Sequence, residues 1–291
     1  MEIGFVERPV GEVRPGDHAW LPFSSVEEQT FIVGTFVHDG LTRSEKVVYV
    51  SDGRSGDLPG LSDSPDVDVH RCLRSGQLRV IAPEQACLSG GRLDPDQMLA
   101  TFEHEISGSY DDGYRAVRLT TDLSWTLGEP GGARFMFDCE GRFETVVASG
   151  ATAMAICQVN RNRCTGDQLT ALEESHEVLV AANPDHDDGI LKITRTFTPY
   201  GIRLEGEVDG ARHAVFAEAL ASIAGRVSAH VDFAGVRFID LGALSLLAAY
   251  GLRMPGGHPL VLDHLPPDVE AVIEIVGWRR MPGISRGRVT P

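Results

Sequence analysis

Lysine is almost missing from this chain. Of its 26 Lys and Arg residues, only Lys46 and Lys192 are lysines. A phosphate-binding P-loop needs a glycine-rich turn followed by Lys and then Ser or Thr, because the ammonium group meets the β- and γ-phosphates. Lys46 opens an apolar run and Lys192 lies far downstream, and neither sits in such a turn. With no Walker A motif, hydrolysis of ATP is not expected. No catalytic residue is assigned, and the chain is read as a protein that is not an enzyme.

Other absences narrow the class further. No apolar run approaches the ~18–20 residues of a membrane span. The first residues, MEIGFVERPVGEVRPGDHAW, lack the basic start and apolar core of a secretory signal. A cytoplasmic location without membrane contact is therefore expected. The five cysteines, Cys72, Cys87, Cys139, Cys157 and Cys164, are odd in number and scattered, which does not suggest a disulfide framework. His70-Arg71-Cys72 and the acids around His186 lack the paired Cys/His spacing of a structural zinc site, so no metal is expected. The formal net charge of −16 argues against direct nucleic-acid binding, which needs a basic patch.

What is present is an ordinary globular composition, 42% hydrophobic and 23% charged, long enough for about two domains. The first part alternates strand-like and helix-like segments. His18–Phe23 is a short strand, and Ser25 with Glu28 three residues later predicts a capping box at the next helix. Val47–Val50, Leu78–Ala82, Ala116–Leu119, Ala151–Val159 and Val178–Ala182 read as strands. Helices fall between them, one opened by Asp94-Pro95 with Met98, Phe102 and Ile106 on a single face, and others at Phe137–Val147 and Asp167–His176. This alternation predicts an α/β domain, a mainly parallel sheet with helices on both faces. Residues 183–189 (NPDHDDG) are polar and turn-rich and read as a linker.

The second part opens with a predicted hairpin, Leu191–Phe197 against Ile202–Val208. A helix carrying Phe216, Leu220 and Ile223 follows. Val231–Tyr250, VDFAGVRFIDLGALSLLAAY, then reads as a buried strand that turns sharply at Asp240 into a helix. A strand at Leu260–Leu262 and a helix opened by Pro266-Pro267-Asp268 complete a small sheet covered by helices. The helix has an apolar stripe at Val269, Val272, Ile273 and Val276. Residues 282–291 read as a loose tail.

Two resemblances span most of the chain. Residues 11–182 resemble a MEDS domain, the sensory domain of methanogen and methylotroph regulators. The resemblance rests on GDHAWLPFSSVEEQ (Gly16–Gln29), the strand Glu45–Val50, the turn Asp122–Trp125 and CQVNRNRCTGDQL (Cys157–Leu169). It implies a RecA/KaiC-like fold and the sensing of a small molecule. Members often carry a Cys two residues after the His of the first motif, where this chain has Trp20. Residues 190–281 resemble a STAS domain, the module of anti-sigma-factor antagonists. In that family the residue after the turn Asp is a phosphorylated Ser or Thr, and here it is Leu241, which has no hydroxyl. Ser245, one helical turn further on, reads as buried among apolar residues.

Site residues are expected in both parts. His18 and Trp20 share one strand face. With Trp125, and with Gln158 and Asn160 of a later strand, they are the ligand-binding candidates for a pocket at one end of the sheet. Arg54, in the loop after Val47–Val50, would hold an anion, and Asp122 imitates a Walker B acid. Asp240, Leu241 and Gly242 are the partner-binding candidates, since the resemblance places the anti-sigma-factor contact at that turn. Together these features describe a non-catalytic signalling regulator, with a small-molecule ligand and a STAS-pathway protein as partners. The alternatives are a degenerate nucleotide-binding protein or unusual NTPase, and a scaffold forming a homo-oligomer.

Overall fold

The computed structural model describes residues 6–51, 58, 59, 61, 66–149, 152–226, 228–277 and 282–288. The chain divides into two compact units, Met1–Ala181 and Ala182–Pro291.

In chain order the first unit contains β1 (Val6–Pro9), β2 (His18–Phe23), α1 (Val26–Thr42), β3 (Lys46–Val50), α2 (Val69–Ser75), β4 (Leu78–Ile81) and a short α3 (Pro83–Ala86). A small hairpin follows, β5 (Leu88–Ser89) and β6 (Arg92–Leu93). Then come α4 (Pro95–Asp111), β7 (Val117–Asp122), α5 (Gly132–Ser149), β8 (Ala153–Asn160), α6 (Gly166–Glu174) and β9 (Val178–Ala181). Seven strands form one parallel sheet in the order β1-β9-β2-β8-β7-β3-β4.

Strand alternation sorts the side chains onto two buried faces. Trp20, Val48, Val50, Val117, Leu119, Ala155 and Cys157 pack against Met98, Phe102 and Ile106 of α4 and against Met136, Cys139 and Phe143 of α5. The opposite face, with Val47, Tyr49 and Arg118, lies under α1, which packs on β2, β3 and β7. Gly40 is needed there, because a Cβ would come within 2.7 Å of Cδ of Arg118 and 2.8 Å of Cγ2 of Val47. The helix starts follow their expected caps. Ser25 Oγ accepts from the Glu28 N–H at 3.1 Å, and the Glu28 carboxylate accepts from the Ser24 N–H at 2.7 Å. Asp94 caps α4, with Pro95 in the first turn.

The second unit contains β10 (Pro184–Asp187), β11 (Leu191–Phe197), β12 (Tyr200–Val208), α7 (His213–Ile223), β13 (Ala229–Ile239), α8 (Leu241–Gly251), β14 (Leu260–Asp263), α9 (Pro267–Val276) and β15 (Ile284–Arg286). Its six-stranded sheet runs β10 to β15 in sequence order, antiparallel through β12 and parallel from there on. The core joins Phe216, Leu220 and Ile223 of α7, Leu244 and Leu247 of α8, and Val269 and Ile273 of α9 to the alternating strand residues.

Three expectations change. The segment 183–189, read as a linker, supplies edge strand β10, whose Pro184 stands at the strand start, where a missing N–H costs least. The tail 282–291 is not loose throughout, since Ile284–Arg286 pair with β14 as strand β15. Ser245 is exposed rather than buried, with its hydroxyl donating to the Leu241 carbonyl at 2.8 Å. Gly283-Ile284-Ser285-Arg286-Gly287 has the Gly-x-Ser-x-Gly lettering of a nucleophile elbow. It lies on edge strand β15 rather than on a strand-to-helix turn, so the elbow geometry is not formed.

Candidate functional site

The first unit places the ligand-site candidates in three separate environments. His18 and Trp20 point together onto the α5 side of the sheet, and both are buried. In the register of β2 with β8, Trp20 lies opposite Cys157. The thiol of Cys157 therefore reaches the His18 ring, with Sγ 3.1 Å from Nε2. Glu140 enters from α5 and places one carboxylate oxygen 3.1 Å from the same nitrogen. His176, in the turn between α6 and β9, places its Nε2 3.3 Å from that oxygen. Its Nδ1 lies 2.8 Å from the Leu172 carbonyl, and donation there leaves the Nε2 lone pair facing the cluster.

The four ligand atoms lie within 4.8 Å of one another, and all four residues are buried. Aromatic rings enclose them. The His18 and His176 ring centroids are 4.3 Å apart, Trp20 stacks on His176 at 5.9 Å, and Phe143 lies 5.2 Å from His18. Two buried atoms here, the second carboxylate oxygen of Glu140 and Nε2 of His176, have no hydrogen-bond partner among the described residues.

Electrostatics distinguish the members. Burial lowers the affinity of His18 for a proton, and the Glu140 hydrogen bond offsets this only in part. Burial alone would push Glu140 up, but the two imidazoles beside it, His176 first and then His18, prevail and hold it well below the carboxylate range. Burial, and then the Glu140 charge, pushes the Cys157 thiol well above its ordinary value.

Gln158, the neighbour of Cys157, faces the other way. It donates to Thr120 Oγ1 at 2.8 Å and to Tyr49 Oη at 3.2 Å, and accepts from Gln29 at 2.8 Å. Asp122 lies beside it in register. It accepts from the Ser124 N–H at 2.8 Å and from Gln29 at 3.4 Å, and burial raises its carboxyl. Asn160 caps the following turn by accepting from the Asn162 N–H at 3.0 Å. Gln29, Tyr49, Thr120, Asp122 and Gln158 form one polar network at the start of α1.

Trp125 occupies the third environment. It lines a cleft of about 1060 Å³, with Glu84, Arg92, Glu129, Arg134 and Asp138, between the β5–β6 hairpin and the starts of α4 and α5. The single pocket expected for His18, Trp20, Trp125, Gln158 and Asn160 is therefore corrected, because strand alternation sends His18 and Gln158 to opposite faces. Arg54 lies outside the described residues.

In the second unit, Asp240 caps α8 and accepts from the Ala243 N–H at 2.8 Å. His213 Nε2 lies 2.7 Å from the same carboxylate oxygen. Partial burial opposes ionisation of Asp240, but these hydrogen bonds outweigh it and lower its proton affinity. A Cβ on Gly242 would fall 2.2 Å from Cε1 of His213, so glycine keeps that approach open. Leu241 is 60% exposed and Phe238 is 49% exposed, which leaves apolar side chains on either side of the turn.

Comparison with known families agrees with this arrangement. The methanogen/methylotroph DcmR sensory domain family, MEDS, matches residues 17–177, more than half of the chain. The chain belongs to the MEDS family. A Mlab-type STAS domain follows at residues 191–283. No curated protein matches the chain. Among solved structures, it is similar to a KaiC-like protein of the hyperthermophilic archaeon Pyrococcus horikoshii, at 12% identity and a TM-score of 0.42, covering 62% of this chain and 79% of the other. It is also similar to the flagellar accessory protein FlaH of Methanocaldococcus jannaschii, at 14% identity and a TM-score of 0.37, covering 63% and 78%. The seven-stranded parallel sheet belongs to the MEDS domain, and the small mixed sheet belongs to the STAS domain.

Three members of the buried cluster, Glu140, Cys157 and His176, were not sequence candidates. One signal was available. Glu140 falls on the apolar stripe of α5, four residues after Met136 and three before Phe143, where an acid is out of place. Cys157 became a neighbour of His18 only once the β2–β8 register was known.

Proposed function

We propose that this chain is a non-catalytic cytoplasmic signalling regulator. Its MEDS domain senses a small molecule, and its STAS domain passes the state to an anti-sigma factor or a related partner-switching protein. The observation that carries this reading is Leu241, an exposed apolar side chain at the start of α8, where the STAS resemblance has a phosphorylated hydroxyl. A phosphate at that turn would add roughly −2 charge and break an apolar contact. Leu241 cannot accept one, so the docking surface stays permanently in its unphosphorylated form. Control then falls to the sensory domain, whose ligand must have different affinities for two states of the protein. The cleft beside Trp125 has the size of a small-molecule site.

The nucleotide-binding alternative is weaker. The turn joining β2 to α1 is only Ser24 and Ser25, too short for a phosphate-cradling loop, and both Asp122 oxygens already accept hydrogen bonds. ATP or GTP hydrolysis lost in Asp122→Ala would revive it.

Affinity capture of the tagged full chain from its native host tests the signalling reading. An anti-sigma factor or another STAS-pathway protein should co-purify with the wild type and be lost with Leu241→Glu. Capture of no such protein, or capture unaffected by Leu241→Glu, would reject it.

A further inference from the structure

We propose that His18, Glu140, Cys157 and His176 form a four-coordinate site for a zinc-type divalent cation inside the MEDS domain. The inference rests on the geometry of this cluster and is independent of the signalling reading.

The donor set is two imidazole nitrogens, one sulfur and one carboxylate oxygen, each offered by a different element of the fold. Zinc takes this mixture of N, S and O ligands at about 2.0–2.3 Å in tetrahedral geometry. Such bond lengths put neighbouring ligand atoms roughly 3.3–3.8 Å apart. The separations here of 3.1, 3.1 and 3.3 Å, with all four atoms inside 4.8 Å, need only small side-chain adjustments to reach that arrangement.

Two further observations point to a ligand rather than to a self-contained hydrogen-bond network. Glu140 is 2% exposed, yet one of its oxygens is unpartnered, and so is Nε2 of the equally buried His176. Orphaned buried acceptors are costly, and both belong to the four residues whose ligand atoms lie within 4.8 Å of one another. The Nδ1 of His176 is meanwhile held at the Leu172 carbonyl, the outer-sphere contact that fixes a metal-binding imidazole in the correct tautomer.

Charge also balances. Ionised Glu140 and a Cys157 thiolate carry −2, which a divalent cation neutralises without leaving a net charge in the core. On binding, the cation takes the sulfur lone pair and the thiol proton leaves to solvent. The mixed set favours zinc, because thiolate and imidazole together suit it while the carboxylate disfavours copper(I). Four protein ligands in a buried site leave no open position, so the ion is structural, tying β2, β8, α5 and the α6–β9 turn together.

Cys157, opposite Trp20 in the neighbouring strand, supplies the sulfur.

The test uses the full chain. Protein stripped with a chelator and titrated with Co²⁺ should bind one equivalent. It should show the intense visible bands of tetrahedral cobalt and a thiolate-to-cobalt charge-transfer band in the near ultraviolet. Cys157→Ser should abolish the charge-transfer band and weaken binding by ~10-fold or more, whereas Cys164→Ser should leave both unchanged. Absence of stoichiometric Co²⁺ binding, or a spectrum indifferent to Cys157→Ser, would overturn the proposal. If Cys157→Ser does not fold, X-ray absorption of the zinc-loaded wild type decides. One sulfur and three nitrogen or oxygen neighbours support the site, and a shell without sulfur rejects it.

Discussion

The Sγ atom of Cys157 and Nε2 of His18 are 3.1 Å apart although 139 residues separate them, because parallel pairing of β2 with β8 puts both on one face. Glu140 is the acid they share with His176, and its replacement tests how far the cluster holds the domain together. Glu140→Ala removes the group that both imidazoles face and leaves a void beside the buried His18, His176 and Cys157 side chains. The expected loss is about 3 kcal/mol, read as a lower urea midpoint for the N-terminal domain. Glu140→Gln keeps the shape and should lose less. Equal stability of Glu140→Ala and wild type would show that the cluster contributes nothing to the fold.

Lys46 explains why one of the two lysines is where it is. Its ammonium lies 3.0 Å from the Glu105 carboxylate with both side chains buried, and Arg79 holds the other oxygen at 2.9 Å from the rim. Lys46→Met leaves Glu105 buried with a single, more exposed partner. Breaking such a pair costs about 3 kcal/mol. The double variant Lys46→Met with Glu105→Leu should recover most of that loss, because an apolar pair of similar volume needs no charge compensation. A thermodynamic cycle on the two single variants and the double variant measures the coupling.

Much of this architecture can be read along the chain, because period-two and helical apolar patterns report burial locally. His18–Phe23 and the Asp94-Pro95 helix start are such cases, and so is the Asp240 turn. What could not be read depends on register. Nothing in the sequence says that residue 157 stands opposite residue 20, so only the register brings Cys157 to the His18 face and turns Gln158 to the other. Polarity also misled at 183–189. An edge strand paired on one side has solvent on the other, so PDHD can be both polar and extended. Ser245 has apolar neighbours in sequence, yet α8 turns it outward between Leu244 and Leu246.

Acid should weaken the STAS domain through Asp188. Its carboxylate accepts the Ile190 and Leu191 N–H groups at 3.0 and 2.8 Å, with Arg212 at 2.9 Å, His186 at 3.6 Å and Asp209 sharing the same arginine. The backbone hydrogen bonds, and then the Arg212 and His186 charges, lower its pKa from the usual 3.8 to about 2. A depressed folded-state value means that the stabilisation is complete above the unfolded pKa. It is lost as pH falls from about 4 towards about 2. Asp188→Asn should flatten the stability profile in that window and leave its slope above pH 5 unchanged. Denaturant titrations at pH 2.5, 4 and 6 distinguish the two behaviours.

The α8 turn separates folding from docking. Gly242→Ala would drive a Cβ to 2.2 Å from the His213 ring. The ring must swing away, losing its 2.7 Å contact with Asp240 and loosening the cap of α8. A loss of about 1–2 kcal/mol is expected. Leu241→Glu should behave in the opposite way. Its side chain is mostly in solvent, and an acid in the first turn of a helix gains roughly 0.3–1 kcal/mol from the helix dipole. Thermal unfolding of the two variants should therefore diverge, with Gly242→Ala lower than wild type and Leu241→Glu equal or slightly higher. If Leu241→Glu instead destabilised the domain strongly, Leu241 would be part of the fold, and any loss of partner with that variant would reflect unfolding rather than a blocked surface.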